Sequence, residues 1–495
     1  MALKPTRGKI HGWQGRSIIL VWRNQPLSHM KTNSLISWKA LWSFTLVLQA
    51  WLMTAAHNPP NVLLIMTDDL GYGDLGCYGQ KQIQTPELDR MAAEGLRFTQ
   101  FYAGSTVCAP SRCVLMTGMH TGHTEVRGNQ EIQPMGQWPL ADETLTVAEC
   151  FKRAGYETAL IGKWGLGGPG STGHPNRQGF DYFFGYLCQR HAHNYYPEFL
   201  FRNDQLVPLE GNIVNNERGD GAGYATGRAL YSHDLCATEA LQFIDRQNAS
   251  KPFFLFLSLT IPHANNEGGP RGMEVPDLGG YADKDWPPAQ RGHAAMISRM
   301  DADVGRILSA IDQKGWGDDT LVLFTSDNGP HREGGNDPFF HDSNGPLRGI
   351  KRDLYEGGIR VPMIARWTGH IEAGTQSDHV GYFGDVMATM TELMNEPLPH
   401  PYPDSLSFLP SLLGKPQPQH PYLYWEFHGG GQHFAAIRQG DWKGIQRRDR
   451  TFELYHLGND LGEERNVAKD HLTRVAGLRR LMDAAHTDHP LWKVP

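Results

Sequence analysis

Four runs of consecutive apolar residues stand out along the chain, and amphipathic stretches lie between them. A short continuous apolar run is typical of a strand whose two faces are both buried. Apolar residues that recur at intervals of three and four are typical of a helix packed on a sheet. Strands alternating with helices favour a largely parallel sheet covered on both faces. The predicted strands are 61–67, 157–161, 253–259 and 320–325, and the predicted helices are 86–98, 144–154 and 294–314.

The pattern changes near residue 395. Prolines recur from 397 to 418, and short aromatic-rich segments follow at 422–427 and 434–438, which favours a small antiparallel sheet. The predicted fold class is therefore α/β, with a large mixed, mostly parallel sheet flanked by helices and a smaller antiparallel subdomain. The predicted parts are an N-terminal extension at 1–56, the main domain at 57–399 and the C-terminal subdomain at 400–495.

The N-terminal extension has the pattern of a secretory signal. Lys31 and Lys39 precede an apolar stretch at 40–53, and small residues follow at 54–56. The apolar stretch is short and interrupted by polar residues, which disfavours a stable membrane span. We therefore expect a secreted or periplasmic protein, with Met30 as an alternative start; the other reading is a buried or anchoring N-terminal helix.

The composition narrows the choice of partners. The 495 residues are 40% apolar and 20% charged, and the net charge is −7, so no basic excess points to nucleic acid. If the substrate is an anion, positive charge must be gathered locally. None of the six cysteines forms a C-x-x-C pair, which argues against a structural zinc site, and export would permit disulfides.

Polar residues follow each of the four apolar runs. Ligands of open α/β sheets bind beyond the carboxyl ends of the strands, so these residues are expected to share one site. Most of them offer oxygen ligands, which Ca²⁺ and Mg²⁺ prefer; the alternative is that each Asp caps a following helix. The residues concerned are Asp68 and Asp69, Lys163, His263, and Asp327 with Asn328.

The segment Cys108-Ala-Pro-Ser-Arg112, followed by Leu115-Met-Thr-Gly118, carries the most specific pattern. It resembles the modification signature of the formylglycine-dependent sulfatases, a family of the alkaline-phosphatase-like superfamily. The alternative for Cys108 is an inert buried thiol. Further segments resemble this family in the same order over roughly residues 58–470; they are 61–74, 162–167, 326–329, 347–358 and 453–457 with Asp460 and Asn466.

The resemblance implies a sulfatase that releases inorganic sulfate from sulfate esters. Cys108 would be converted to formylglycine by a maturation enzyme, and one hydroxyl of the aldehyde hydrate would attack sulfur. The resemblance implies Ca²⁺, with Mg²⁺ as the alternative, bound by Asp68, Asp69, Cys108, Asp327 and Asn328. It also implies that Arg112 stabilises the hydrate, that Lys163 and Lys351 hold sulfate oxygens, that Asp327 is the base, and that His263 is the acid or a sulfate ligand.

One position departs from the family pattern. The family has His in the segment G-K-W-H-L-G, where this chain has Gly165. In the family this His contacts the hydrate or the sulfate, so another residue must supply the missing donor or the donor is lost. The candidates for that role or for substrate contact are His120, His123, His191, His193 and His331, of which His331 follows the second metal segment directly.

The substrate is written less clearly in the sequence. Polar and aromatic residues near the site motifs favour a sulfated carbohydrate over a steroid or lipid sulfate; they are 189–196, 265–267, Arg332, Glu333, Asp337, Trp425, His428 and His433. Two other functions compete with this one. The first is a phosphate- or phosphonate-ester hydrolase of the same superfamily, because phosphate and sulfate are both tetrahedral oxyanions. The second is a non-catalytic binding protein that keeps the pocket.

Overall fold

The computed structural model describes residues 59–215, 218–398, 404–429 and 433–493. The predicted signal segment lies outside these ranges, and the predicted domain boundary at residue 400 falls in the gap between two of them, so both stay predictions. Among the helices of the described ranges, none combines the length and the apolar character needed to cross a membrane.

Strands and helices are interspersed along the chain up to about residue 393, with the strands β4 to β8 in succession. The strands are β1 (Asn61–Asp68), β2 (Leu96–Tyr102), β3 (Glu157–Lys163), β4 (Tyr182–Tyr186), β5 (Phe199–Arg202), β6 (Gln205–Pro208), β7 (Ile213–Val214), β8 (Ala225–Gly227), β9 (Phe253–Pro262), β10 (Thr320–Ser326), β11 (Arg360–Arg366), β12 (Thr375–Ser377), β13 (Gly381–Tyr382), β14 (Leu423–Glu426), β15 (His433–Gln439), β16 (Trp442–Arg447) and β17 (Phe452–His456). The α-helices are α1 (Pro86–Glu94), α2 (Cys108–Thr117), α3 (Val147–Arg153), α4 (Ser232–Arg246), α5 (Pro288–Gln313), α6 (Glu356–Ile359), α7 (Asp385–Leu393), α8 (Leu409–Leu412) and α9 (Leu472–Ala485).

The main sheet has eleven strands, in the order β12-β2-β11-β10-β1-β9-β3-β4-β5-β6, with β13 also paired to β2. Its centre is parallel, from β10 through β1, β9 and β3 to β4. Antiparallel pairs extend it on both sides, through β11 and β2 at one and β5 and β6 at the other. The four predicted strands are four neighbours in this parallel centre. The predicted mixed, mostly parallel α/β fold is confirmed.

Both faces of the sheet are buried, and alternate residues of β1 show this directly. Leu64 and Met66 belong to one apolar core, whereas Leu63 and Ile65 belong to the other. Helices α2, α3 and α7 pack in the first core, and α1, α4 and α5 pack in the second. Burial on both faces explains why these strands are continuous apolar runs rather than alternating ones.

The predicted helix at 86–98 is wrong beyond residue 94. Helix α1 ends before Gly95, and Leu96 begins β2. Leu96 fits the helical spacing of Leu88 and Met91, which extended the prediction, but Leu96 and Phe98 are buried side by side on one face of the strand. β11 was not predicted, because Pro362 and the flanking arginines interrupt its apolar run.

The C-terminal strands β14 to β17 form a four-stranded antiparallel sheet, as predicted. One face packs against α9, through Leu454 and Leu478 among others. The opposite face contributes Trp425 and Ile445 to the first core of the main sheet. The small sheet therefore shares an apolar core with the main sheet.

A buried ion cluster also joins the two sheets. Lys443 on β16 is fully buried, and its Nζ lies 2.9 Å from Oε1 of Glu356 and 2.9 Å from Oε1 of Glu463. Burial works to raise the pKa of Glu356, but Lys443, Arg360 and Arg438 together outweigh it and lower this pKa to about 2. Burial raises the pKa of Glu463 to about 7, with Lys443 opposing and Glu356 adding to the rise. Lys443 is thus the cation that lets two carboxylates share this junction.

We expect Lys443→Met to lower the free energy of unfolding by about 3–5 kcal/mol, because it leaves buried Glu463 without this cation and Glu356 with Arg360 alone. Urea unfolding of the full chain measures this. The matched control is Lys469→Met at an exposed position, where we expect a change within about 0.5 kcal/mol. Equal unfolding of the two variants would contradict this account of the junction.

Candidate active site

The parallel strands β10, β1, β9 and β3 end side by side, and the polar residues at their ends meet there. Thr67 pairs with Ser326 in the ladder between β1 and β10, so the acidic residues that follow both strands lie at one level. The backbone of Asp69 turns sharply, with a left-handed φ of 66°, and its N–H donates to Oδ1 of Asp327 at 3.2 Å. Six residues meet here, all buried: Asp68, Asp69, Lys163, His263, Asp327 and Asn328.

Cys108 is the first residue of α2, a helix that is buried over its whole length. Its Sγ lies 3.4 Å from Oδ1 of Asp68. Burial, with Asp68 adding to it, raises the pKa of the Cys108 thiol well above its ordinary range, although Lys163 opposes the rise. The unmodified side chain is therefore a thiol, whereas the nucleophilic form of cysteine is the thiolate.

Arg112 lies one helical turn after Cys108 and reaches the same cluster. Its Nε and Nη2 donate to Oδ2 of Asp327 at 3.2 and 2.8 Å, and Nη2 lies 3.7 Å from Oδ2 of Asp68. Its Nη1 donates to the Lys163 carbonyl at 2.8 Å and to Oγ of Ser258 at 2.5 Å. The guanidinium thus fixes the position of Asp327 and ties three of the strand ends together.

Two lysines complete the charge balance. Lys163 Nζ donates to Oδ2 of Asp68, and Lys351 Nζ donates to Oδ2 of Asp69 at 2.8 Å. Burial raises the pKa of Asp68, but Lys163 and the other cations outweigh it and hold this pKa well below its usual range. Lys351 also lies 3.3 Å from Oε2 of Glu333. The cluster therefore contains several charged side chains in a buried region.

The donor set fits a hard divalent cation. The ligand atoms of Asp68, Asp69 and Cys108 lie within 4.8 Å of one another, together with one from His263. Asn328 Oδ1 is buried and has no hydrogen-bond partner among the described residues, although its amide donates to Oδ1 of Asp69 at 2.6 Å. Burial and then Asp68 raise the pKa of Asp327 to about 7. Buried carboxylates this close, beside an unused amide oxygen, form the oxygen-rich set that such a cation prefers.

Hydrogen bonds fix the tautomer of His263, which lies beside this cluster. Its Nδ1 donates to the Ala264 carbonyl at 2.6 Å, so Nε2 accepts from Lys351 Nζ at 3.0 Å. Burial, with Lys351 adding to it, lowers the pKa of His263 to about 3. The ring of His193 stacks on that of His263, with centroids 4.8 Å apart, and its Nδ1 lies 3.3 Å from Glu267.

His331 is buried behind His263, with ring centroids 5.9 Å apart. Its Nε2 donates to the Pro262 carbonyl at 3.1 Å, and its Nδ1 accepts from the N–H of Glu333 at 3.0 Å. Both ring nitrogens are therefore used by the backbone. No ring nitrogen of His331 is therefore left for the substrate contact that the sequence suggested.

The other histidines considered for the place of the missing family His lie elsewhere. His120 and His123 stack on each other and share Asp404. His191 is enclosed by Tyr186 and Phe199. No contact joins these three to the residues around Cys108 in the part of the chain that the structure describes.

Trp425 and His428 contribute to packing and hydrogen bonds of the C-terminal sheet rather than to the pocket rim that the sequence suggested. Trp425 is completely buried, and its Nε1 donates to the Ala103 carbonyl at 2.9 Å. His428 lies 3.0 Å from Oε1 of Glu426, within a separate network of that sheet. The side chain of His433 lies outside the described part of the structure. All six cysteines carry free thiols.

Sequence reasoning missed Ser258, which lies within β9. Its Oγ donates to the Lys163 carbonyl at 2.6 Å and accepts from Arg112. The signal was a single hydroxyl inside an otherwise apolar strand. The direct pairing of Glu333 with Lys351 was missed as well, since Glu333 was considered only for substrate contact; its Oε1 is held by Arg352 Nη2 at 2.5 Å.

This chain is similar to known proteins over most of its length. The family model described as sulfatase matches residues 60–396, and one described as N-sulphoglucosamine sulphohydrolase, C-terminal, matches residues 350–484. N-acetylgalactosamine-6-O-sulfatase of Bacteroides thetaiotaomicron is 32% identical, over 86% of this chain and 93% of the relative. Arylsulfatase A of Homo sapiens is 32% identical, over 86% of each chain. A solved Bacteroides thetaiotaomicron structure, described under metabolism of multiple glycosaminoglycans, has a TM-score of 0.72 at 29% identity, covering 86% of this chain and 99% of that one.

We expect Arg112→Met to lower the free energy of unfolding by about 3–5 kcal/mol in metal-free buffer, because Asp327 loses its buried partner. The matched control is Arg177→Met, which breaks a half-exposed pair with Asp142 and should cost at most about 1 kcal/mol. Urea unfolding of both variants measures the difference. A loss at Arg112 no larger than that at Arg177 would contradict the role assigned to the buried charge.

Proposed function

The chain belongs to the sulfatase family and hydrolyses sulfate esters, and from this premise we propose that its substrates are sulfated carbohydrates and that its nucleophile is made from Cys108. The predictions of the family and of an enzyme are confirmed. The alternative of a phosphate- or phosphonate-ester hydrolase is not favoured, because these relatives are named as sulfatases. We further propose export from the cytoplasm and a partner enzyme that converts Cys108 to formylglycine.

The observation that carries the proposal is the charge arrangement around Cys108. A sulfate ester is an anion, and a chain of net charge −7 must bind it where cations are concentrated. Lys163 forms an ion pair with Asp68, and Lys351 forms one with Asp69. A cation that takes over the carboxylate charges would leave these amines available to sulfate oxygens.

The unmodified thiol does not suit this chemistry. Cys108 is held as a thiol by burial, and a thiol adduct of sulfate has no easy route of release. A formylglycine hydrate supplies a nucleophilic hydroxyl and a second hydroxyl for release, and a divalent cation supplies charge stabilisation for the sulfate. We assign the cation, Ca²⁺ with Mg²⁺ as the alternative, to Asp68, Asp69, Asp327, Asn328 and residue 108.

For the remaining roles we propose those that the family resemblance implies. Asp327 takes the proton of the attacking group, and Arg112 fixes its position. We propose His263 as the acid for the leaving oxygen or as a sulfate ligand; before substrate binds, its Nε2 accepts a hydrogen bond from Lys351 Nζ at 3.0 Å. Lys163 and Lys351 hold sulfate oxygens.

The neighbourhood of His193 supports a carbohydrate substrate. His193 and Glu267 keep 16% and 21% of their side chains exposed, and Arg190 keeps 19% exposed. Arg190 Nε donates to Oε1 of Glu267 at 3.0 Å, and its Nη1 donates to Asp220 at 2.7 Å. Charged and hydrogen-bonding groups fixed in this way suit sugar hydroxyls better than an apolar steroid ring. The relative named as an N-acetylgalactosamine-6-O-sulfatase supports the same class.

We expect the matured protein to release sulfate from sulfated mono- or oligosaccharides, and Cys108→Ala to abolish this release. The protein is co-expressed with a formylglycine-generating enzyme, and mass analysis of the Cys108 peptide confirms the conversion. Sulfate and phosphate release are then measured across sulfated sugars and phosphate esters.

The matched control is Cys77→Ala, a partly exposed cysteine outside the site, which should keep wild-type release. Absence of sulfate release from converted, metal-loaded protein would refute the carbohydrate proposal. Phosphate release in its place would move the assignment to phosphate esters.

We expect chelation to lower sulfate release at least about 100-fold and to lower the melting temperature, with recovery on adding Ca²⁺. Saturation at 100 times Kd stabilises a folded protein by about 2.7 kcal/mol, which a thermal melt detects without any activity measurement. Asp69→Asn should lose the calcium-dependent shift, whereas Asp142→Asn, at a half-exposed surface position, should keep it. A shift that persists in Asp69→Asn would place the cation elsewhere.

A further inference from the structure

Gly165 leaves a space beside the site that another side chain fills. The residue follows β3 and Lys163, and its N–H donates to the Leu187 carbonyl at 3.1 Å. A Cβ placed on Gly165 would lie 1.9 Å from Nε2 of Gln189 and 2.7 Å from its Cδ. The carboxamide of Gln189 therefore occupies the volume into which a side chain at position 165 would project.

Lys163, Trp164 and Gly165 follow one another at the end of β3. The indole of Trp164 points into the first apolar core and donates to the Gly173 carbonyl at 2.6 Å. Lys163, on one side of Trp164, instead extends to Asp68 in the charge cluster. Gly165 lies on the other side of Trp164, and its backbone stays paired with the segment after β4. Position 165 is therefore two residues beyond the lysine that enters the charge cluster, and its backbone has a left-handed φ of 84°.

The carboxamide itself lacks partners. Gln189 is only 4% exposed, and neither Oε1 nor Nε2 has a hydrogen-bond partner within the described ranges. A buried amide without partners is unfavourable, and such groups are concentrated where a ligand meets them. The next residue, Arg190, is fixed by Glu267, which also holds His193 over His263. Gln189 thus has two links to the site: the next residue, Arg190, belongs to the group around His193, and its own carboxamide fills the space at Gly165, two residues beyond Lys163.

We propose that Gln189 is a substrate-binding residue whose carboxamide donates a hydrogen bond to an oxygen of the bound sulfate. This inference rests on the proposed function. The carboxamide takes the position where the sulfatase family has a histidine, and it does so without a titratable group. A neutral donor suits this place, because Lys163 and Lys351 already supply the positive charge.

Two variants separate binding from packing. Gln189→Met keeps the volume and removes the hydrogen bond, and we expect it to lower kcat/KM about 10- to 100-fold and to weaken inhibition by inorganic sulfate by a similar factor. Gln189→Glu keeps the shape but places a carboxylate against sulfate, so we expect a loss at least as large as that of Met. A residue that only fills space would tolerate Met with little change in kcat/KM or sulfate inhibition. Thermal melts of each variant report folding separately.

The matched control is Gln247→Met, a buried glutamine whose amide donates to Glu157 at the opposite end of β3. We expect it to keep wild-type kcat/KM and sulfate inhibition. A second pair of variants exchanges the two positions. Gly165→His alone meets Gln189 and should lose activity, whereas Gly165→His combined with Gln189→Gly should recover at least about tenfold over the single variant, since histidine tolerates a positive φ better than most residues.

The outcomes are distinguishable. If matured wild-type protein releases no sulfate from any sulfated sugar, the proposed function fails and the inference fails with it. If the wild type is active and Gln189→Met stays within twofold in both kcat/KM and sulfate inhibition, only the inference is overturned. Loss in Gln189→Met and Gln189→Glu, with Gln247→Met unchanged, supports it.

Discussion

Asp68, Asp69 and Asp327 are carboxylates buried within one cluster, and each has a cation against it. Lys163, Lys351 and Arg112 supply those cations, and without them three charges of one sign could not lie in a solvent-free region. The same ion pairs hold the ends of the parallel strands and the first turns of α2 in one arrangement. In the proposed function, a divalent cation and an anionic substrate would exchange partners within this set, and the charge balance would then serve catalysis as well as stability.

The charged residues of this cluster lie at the ends of buried strands, whereas the residues proposed to bind the substrate around Gln189 and His193 lie on a loop. Strands β10, β1, β9 and β3 are buried on both faces and place the charged residues within hydrogen-bonding distance of one another. The segment after β4, by contrast, carries Gln189, Arg190 and His193 outside any strand. A conserved scaffold of strand ends with variable loops is a common way to keep one reaction while changing the substrate. Under the proposed function, sulfate chemistry and sugar specificity would be divided between strand ends and loop in the same way.

Neutral and charged groups divide the work around the proposed sulfate position. Lysine amines provide long-range attraction, and the carboxamide of Gln189 adds direction without adding charge. His263 stays neutral because of burial and the adjacent Lys351, and its Nε2 accepts a hydrogen bond from that amine. The ring of His193 covers His263 on one side, and the backbone-bonded His331 lies on another. The imidazole is thereby held in one orientation.

The sequence by itself determined the four central strands, the family and the polar residues at the strand ends, because continuous apolar runs and local motifs are readable without long-range contacts. It failed at the helix predicted for 86–98, where Leu96 fits helical spacing yet pairs in β2, and at β11, where Pro362 and the flanking arginines interrupt the apolar run. Only the tertiary structure decided which histidines approach Cys108, that Trp425 belongs to the core, and that Gln189 fills the space beside Gly165. These facts depend on packing between segments far apart along the chain, which no local pattern encodes.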